Sequence, residues 1–401
     1  MAASTDFQFI CSENYNAPGL GNAWGALINV LDSCLVDGLV LPAITDITSS
    51  GTQLTITFTT NHQLKMFQVL RLEGFTPTNL NGDFRIIGVP NTATVVIASS
   101  VTTVSTIGNA ILKPLGYEKA FAAPNKAVYR DKNTSAAYRP FLRVDNSIDS
   151  VYSDAYAKYA KVGVLENCSG IDDISSTQIP VDASNPTKNW IGTGSGLSAY
   201  AGWAKWYYAR GADAYSSGAD SSSPAGGNRP WMIVGNSQGF YLINPMTPSD
   251  NHKLLYGFGV YDLIDGVNAT PYYLLATWDY ATVGEIRDFS GGSDPINTAP
   301  LYNNTKPAIL FNGVGVNTQV SALAAHGLYD SGVTNTYLNN FVCMPFTLVA
   351  NSYLMGVLPC LRYINKARSD AAYSTVAYSN MMYVIDLQLN DRRYAFNLGS
   401  L

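Results

Sequence analysis

Three carboxylates, Asp145, Asp172 and Asp173, are the residues of this 401-residue chain best suited to acid–base work. Two carboxylates about 5–10 Å apart across a cleft hydrolyse a glycosidic bond, one as acid and one as base or nucleophile. The same acids in polar turns are simply solvated, and their Ser- and Asp-rich surroundings favour that reading. A DxDxDG calcium loop is absent. The histidines are three, His62, His252 and His326. They lie far apart, and none has a second ligand type at metal spacing, so each reads as a surface or loop residue. A Ser–His–Asp arrangement has no GxSxG elbow to start from. No GxxxxGK[ST] phosphate loop occurs, and the GTGSG run at 192–196 lies in a loop rather than between a strand and a helix. The expectation is a chain with no enzymatic role, no cofactor and no metal site.

The five cysteines, at 11, 34, 168, 343 and 360, are odd in number and lack CxxC spacing. That fits reduced thiols in a protein made in the cytoplasm, not a disulfide framework or a zinc site. Cys34 and Cys360 fall among apolar residues and read as small buried hydrophobes. A different kind of chemistry is offered by GLSAYAGWAKWYYARG. Its Trp203, Trp206, Tyr207 and Tyr208 stand between loop-like flanks. Trp and Tyr are frequent anchors at interfaces, so these four are candidates for a protein or glycan contact, with burial in a core as the alternative.

The elements that must position these residues are mostly strands. The stretch from Tyr117 to Asn146 reads as two short strands, Ala127–Arg130 and Pro140–Asp145, joined by a turn-rich loop. Ahead of it, Trp24, Leu27, Ile28, Leu31 and Leu35 recur at helical spacing, with Asn22 as a cap and Gly38 as a stop. Residues 43–110 change character: Leu54 to Phe58 alternates strictly, Asn81-Gly82 marks a turn, and further short apolar runs follow. A helix is expected over Ser150–Leu165, where Val151, Ala155, Tyr159 and Val162 share a stripe, and a short one over Val320–Ala325. From residue 229 the strands return: a hairpin in RPWMIVGNSQGFYLINP, further strands in LLYGFGVYDLI and PYYLLATWDY, and a terminal hairpin in MMYVIDLQL and RRYAFNL. The fold class predicted is mainly β. An antiparallel β body with few short helices, residues 1–42 and 111–401, is interrupted by a small inserted β-sandwich or barrel, residues 43–110. Its ends should lie close together, so that a short linker could replace it.

Composition narrows the class of partner. Charged residues make up 13% of the chain, about half the usual share, and Tyr reaches 26. Such a surface makes contacts through hydrogen bonds and stacking, and suits permanent neighbours better than free solution. The formal charge is -5 without a run of Lys and Arg, which argues against nucleic acid as a partner. MAASTDF has no basic and apolar leader pattern, and no apolar run approaches the length of a membrane span.

Several elements resemble a known class: NAWGALINVLDSCLVDGL, GYEKAFAAPNKAVYR, YRPFLRVD, RPWMIVGNSQGFYL, YGFG and GVLPCL. In this order, from about Gly21 to Cys360, they resemble structural proteins of tailed bacteriophages. The insert, around NHQLKMFQVLRLEGFTPTNLNGDFRIIGV, resembles small β domains of phage structural proteins at His62, Asn81, Gly82 and Phe84. The chain departs from the pattern at Cys360, where a glycine is expected, and at Asn236-Ser237, which lacks an acid and an arginine. The resemblance implies a virion component of the tail, baseplate, neck or capsid surface. It implies no catalytic residue, and its partners would be copies of itself and other virion proteins. A glycan of the host surface is the alternative partner, and an envelope-degrading hydrolase using Asp145, Asp172 and Asp173 a third reading.

Overall fold

The computed structural model describes residues 3–180, 185–195, 202, 204–211, 221–249, 253–266, 270–278, 308–310, 318–323, 343–350, 353–364, 373–386 and 394–401. His252, His326 and Trp203 lie outside them. The chain opens with strand β1 (Gln8–Cys11) and helix α1 (Ala26–Leu31), which runs into a π-helical turn over Asp32–Asp37. The helix is shorter than its apolar spacing predicts. Gly25, in the left-handed region at φ 86°, takes the N-cap position expected for Asn22, whose side chain instead donates to the Pro224 carbonyl. A side chain at position 25 would collide with Asn125, so only glycine fits there. Gly38 ends the segment with φ 76°, in keeping with the stop read from the sequence.

Seven strands follow: β2 (Leu39–Val40), β3 (Ile44–Ser50), β4 (Gln53–Phe58), β5 (Val69–Glu73), β6 (Gly82–Asn91), β7 (Thr94–Ala98) and β8 (Asn109–Leu112). They form their own sheet in the order β2-β8-β5-β6-β7-β4-β3, with every neighbour antiparallel. β6 bends through two register shifts, which lets one long strand serve both halves of the sheet. Leu54, Ile56 and Phe58, the alternating residues, are buried as the period of two requires. Asn81 closes the turn before β6: its side chain accepts from Phe75 N–H and donates to the Phe75 carbonyl. His62 is buried against Phe58, and Nδ1 accepts from Leu64 N–H. That leaves Nε2 as the protonated nitrogen, facing the Asn91 and Thr94 carbonyls. Burial lowers its pKa, although those carbonyls favour the protonated ring. It is a turn-building histidine.

Asp83 on β6 is half-buried between Arg71 on β5, at 2.8 Å, and Lys113, at 3.0 Å. Desolvation pushes its carboxyl up, but the hydrogen bonds and charges of Arg71 and Lys113 outweigh that and hold it below the usual carboxylate range. A carboxyl with a depressed folded pKa contributes stability above its unfolded value of about 4, and that contribution fades as pH falls through the folded value. Asp83→Asn is therefore expected to flatten the acid side of the melting temperature against pH profile below about pH 4. A steep acid limb unchanged from wild type would rule Asp83 out as its source.

The body resumes with β9 (Tyr117–Ala123), β10 (Lys126–Asp131), β11 (Phe141–Asp145), β12 (Lys158–Leu165), β13 (Gln178–Ile179) and β14 (Ala204–Ala209). The two strands read around the Tyr117–Asn146 stretch are β10 and β11, paired antiparallel with Ala127 opposite Val144. The helix expected over Ser150–Leu165 is not formed. Residues 149–156 make two turns, and Lys158–Leu165 is a strand with all eight residues buried. Neighbouring strands β11 and β14 pair along both of its edges, and this overrides a helical stripe that is coincidental.

The last strands are β15 (Met232–Asn236), β16 (Gly239–Pro245), β17 (Lys253–Val260), β18 (Asp262–Leu263), β19 (Tyr272–Leu275), β20 (Thr277–Trp278), β21 (Ala308–Leu310), β22 (Thr318–Leu323), β23 (Cys343–Ala350), β24 (Tyr353–Ile364), β25 (Tyr373–Tyr378), β26 (Met381–Asp386) and β27 (Tyr394–Ser400). β20 closes the middle sheet on β14; the others join β1 in a large antiparallel sheet that runs from β1-β15 to β26-β25. The hairpins read at 229–245 and at the C-terminus are β15–β16 and β26–β27. Residues 318–323 are a strand, so the short helix expected from Val320 is a second correction. The fold is thus mainly antiparallel β with one short helical region among the described residues. Cys360 holds a left-handed backbone at φ 50°, the conformation that favours the glycine expected at this position.

Candidate functional site

β10, β11, β12 and β14 turn one face to the main core. Leu142, Val144, Ala160, Val162, Val164, Trp206 and Tyr208 point there. Period two then places Lys126, Arg143, Asp145, Lys161, Gly163 and Lys205 on the other face. That face is covered by residues of the segments 166–180 and 185–192, and the charges lie buried: Arg143, Asp145 and Lys161 are each 3% exposed.

Asp145 sits at the middle. Its Oδ2 is 3.4 Å from Lys161 Nζ, 3.7 Å from Arg143 and 3.9 Å from Lys126. Its Oδ1 accepts from Ser147 N–H and the Ser147 hydroxyl. Lys161 Nζ also lies 3.5 Å from Asp149 and donates to the Trp190 carbonyl at 2.8 Å. The Trp190 ring lies against the Arg143 guanidinium, whose carbon is 4.2 Å from the ring centroid. Gly163 makes room for this ring: a Cβ there would stand 2.6 Å from Trp190 Cζ2. Trp190 Nε1 donates to Gln178 at 2.8 Å, and Asn189 ties the same segment to Val162 and Ala204. The covering segment is held by directional bonds at each point.

The three acids read from the sequence part ways here. Asp145 and Asp172 do come together, through the same two cations: Asp172 is 2.8 Å from Lys126 and 2.9 Å from Arg143. The hydrogen bond from Lys126, with support from Arg143, holds the Asp172 carboxyl below its usual range. Asp173 faces away. It accepts from the hydroxyls and N–H groups of Ser169 and Ser175, which hold it far below the usual range. A glycosidase pair needs one carboxyl kept protonated by its surroundings. The surroundings of Asp172 and Asp173 favour their ionised forms. Burial raises Asp262, against the pull of Arg362, but it belongs to β18 in the large sheet. Among the described residues, no three His, Cys, Asp or Glu side chains converge as metal ligands.

Trp206, Tyr207 and Tyr208 are core residues, each wholly buried on β14. Trp206 stacks on Tyr256 at 6.0 Å and donates to the Leu275 carbonyl at 2.8 Å. Tyr208 donates its hydroxyl to the Ala23 carbonyl at 2.9 Å. Tyr207 faces the other side, against Tyr159 and Met246. Both faces of β14 are covered, which leaves these three rings no free surface in the folded chain.

A half-buried aromatic group lies elsewhere. Trp24 meets Tyr152 and Tyr159 edge-on at 6.2 and 5.7 Å, and Tyr152 meets Tyr156 at 5.4 Å. Trp24 Nε1 donates to Asp154, whose side chain is 80% exposed. This group is not legible in the sequence, because Trp24 and Tyr152 are joined only by the fold. No family model and no curated protein matches the chain.

Proposed function

We propose that this chain is a non-enzymatic structural component of a tailed-phage virion, a part of the tail, baseplate, neck or capsid surface. It would bury its surface against copies of itself and other virion proteins. One observation carries the reading: a chain poor in charge also places some of that charge inside. Arg85, Asp131, Arg143, Asp145, Lys158, Lys161, Lys205, Arg210 and Arg229 are all buried. Charged residues are 13% of the chain, while a freely soluble domain favours roughly 25–35% charge on its surface. A surface poor in charge fits contacts made by apolar area and fixed by neutral hydrogen bonds. The resemblance to phage structural proteins supports the same reading.

A second reading, contact with a host-surface glycan, is favoured by the half-buried Trp24, Tyr152 and Tyr156 beside Asp154, in place of the Trp203–Tyr208 segment. Cryo-electron microscopy of purified particles tests the first reading. Density for the chain at repeated, symmetry-related positions is the expected result, and a chain absent from purified virions would sink it. Loss of host-cell adsorption in Trp24→Ala particles that still assemble would favour the second.

A further inference from the structure

The three sheets end in strands whose outer edges differ in protection. β1 is sealed: Gln8 Nε2 donates to the Val69 and Lys113 carbonyls, binding this edge to the neighbouring sheet. β2 has two residues and offers no length for pairing. β9 is braced against the π-helical turn, where Lys119 pairs with Asp32 at 2.6 Å. β3 is different. It has seven residues, five of them exposed, it ends its sheet, and no described strand pairs with its outer side. It carries no Lys or Pro, the usual guards of an open edge.

We propose that β3 is a self-pairing edge, at which a second copy of this chain adds its own β3 antiparallel across a two-fold axis. The occupant is argued from the strand itself. Asp46 to Ser50 pairs in unbroken register with Thr57 to Gln53, while an irregularity sets Thr45 apart. Only the run from Asp46 to Ser50 is therefore straight enough to carry a further ladder. An antiparallel pair centred on Thr48 uses all five residues. Thr48 then faces the partner's Thr48, Asp46 faces the partner's Ser50, and Ile47 faces the partner's Ser49. The carboxylate meets a hydroxyl donor, and the Thr–Thr pair is a favourable cross-strand combination. Centring on Asp46 would oppose two carboxylates, and centring on Ile47 would draw the irregular Thr45 into the ladder. The register centred on Thr48 is thus the one that uses the whole straight run, and it is self-complementary, as a two-fold contact requires. Main-chain hydrogen bonds supply the binding, as in other cases of strand addition. The proposal deepens the assembly reading above by naming one contact and its partner.

The test uses the full chain. Single variants Thr48→Cys and Ser50→Cys are oxidised with copper–phenanthroline and run on a non-reducing gel beside wild type. Across the proposed axis the two 48 positions stand about 5 Å apart at Cβ, within reach of a disulfide. The two 50 positions stand roughly 14 Å apart, beyond it. A crosslinked dimer from Thr48→Cys alone is expected; crosslinking of neither variant, or of both, overturns the register. Sedimentation velocity adds an independent measure. Wild type should show a concentration-dependent dimer, and Thr48→Lys, which opposes two ammonium groups on the axis, should weaken it at least tenfold with an unchanged melting curve. A monomeric wild type, or a dimer indifferent to Thr48→Lys, overturns the proposal. In either case finding the chain in virions would leave the assembly reading standing, whereas its absence from virions would remove that reading without touching the dimer measurement.

Discussion

Asp145→Asn should cost about 3–5 kcal/mol of folding stability, because it removes the counter-charge from a buried pair without removing the cations. The replacement keeps the shape and keeps an oxygen for Ser147 N–H and the Ser147 hydroxyl. It takes away the charge that faces Lys161 at 3.4 Å and Arg143 at 3.7 Å, both almost wholly buried. Asp149 remains near Lys161, at 3.5 Å, and Asp172 near Arg143, at 2.9 Å, so the cations are not left bare. That places the expected loss toward the lower end of the range. Asp172→Asn is the matched control. Its side chain is 65% exposed, so the loss there should stay within about 1 kcal/mol despite shorter ion-pair distances. Urea unfolding of the two variants measures the difference. Equal losses would mean that the buried layer is solvated well enough for Asp145 to be replaceable. The same variants bear on the hydrolase reading: turnover on peptidoglycan or capsule that survives Asp145→Asn, Asp172→Asn and Asp173→Asn would exclude these acids from any such chemistry.

The sequence shows this layer once the strand is recognised. In FLRVD, Leu142 and Val144 alternate with Arg143 and Asp145. In KYAKVGVL, Ala160, Val162 and Val164 alternate with Lys161 and Gly163. Both patterns have a period of two, and across the ladder Asp145 stands opposite Lys161 and Arg143 opposite Gly163. Helical spacing was also present in the second segment, and over so few residues the two periods compete. The alternation at Leu54–Phe58 was legible because its outward residues are polar. β14 was harder. Ala204 to Ala209 is covered on both faces, and this doubly buried strand shows aromatic residues at the consecutive positions 206, 207 and 208, like an exposed aromatic patch read without its neighbours. Nothing local indicates that Trp190 returns to lie over Gly163, or that Trp24 meets Tyr152. Those contacts come from loops whose paths are set by the sheet.

The joint between the β2–β8 sheet and the N-terminal arm carries the second large effect, at Arg85. This side chain, on β6 and 3% exposed, donates to four carbonyls: Ser4, Phe7, Phe67 and Leu398. It thereby ties together the arm, the β2–β8 sheet and the C-terminal strand β27. Burial draws its pKa down to about 10, partly offset by Asp6, so it remains cationic at neutral pH. Polar side chains continue the joint: Gln68 donates to the Phe9 carbonyl and exchanges bonds with Asn14, while Gln8 spans Val69 and Lys113. Arg85→Met fills similar space and leaves carbonyls without donors in a dry seam. Hydrogen bonds to a charged group contribute roughly 1.5–3 kcal/mol each, and the relieved desolvation of the guanidinium offsets part of their loss. A net destabilisation of about 4 kcal/mol is expected. Arg85→Lys should restore only part of it, since one ammonium cannot spread its donors as a planar guanidinium does. Hydrogen exchange locates the damage. Amides of β1 and β27 should lose protection before those of β12 and β14, because Arg85 bonds to Phe7, next to β1, and to Leu398 in β27. Uniform loss of protection would mean that the three sheets unfold as one unit. A change below about 1 kcal/mol would show that water replaces the guanidinium at the seam.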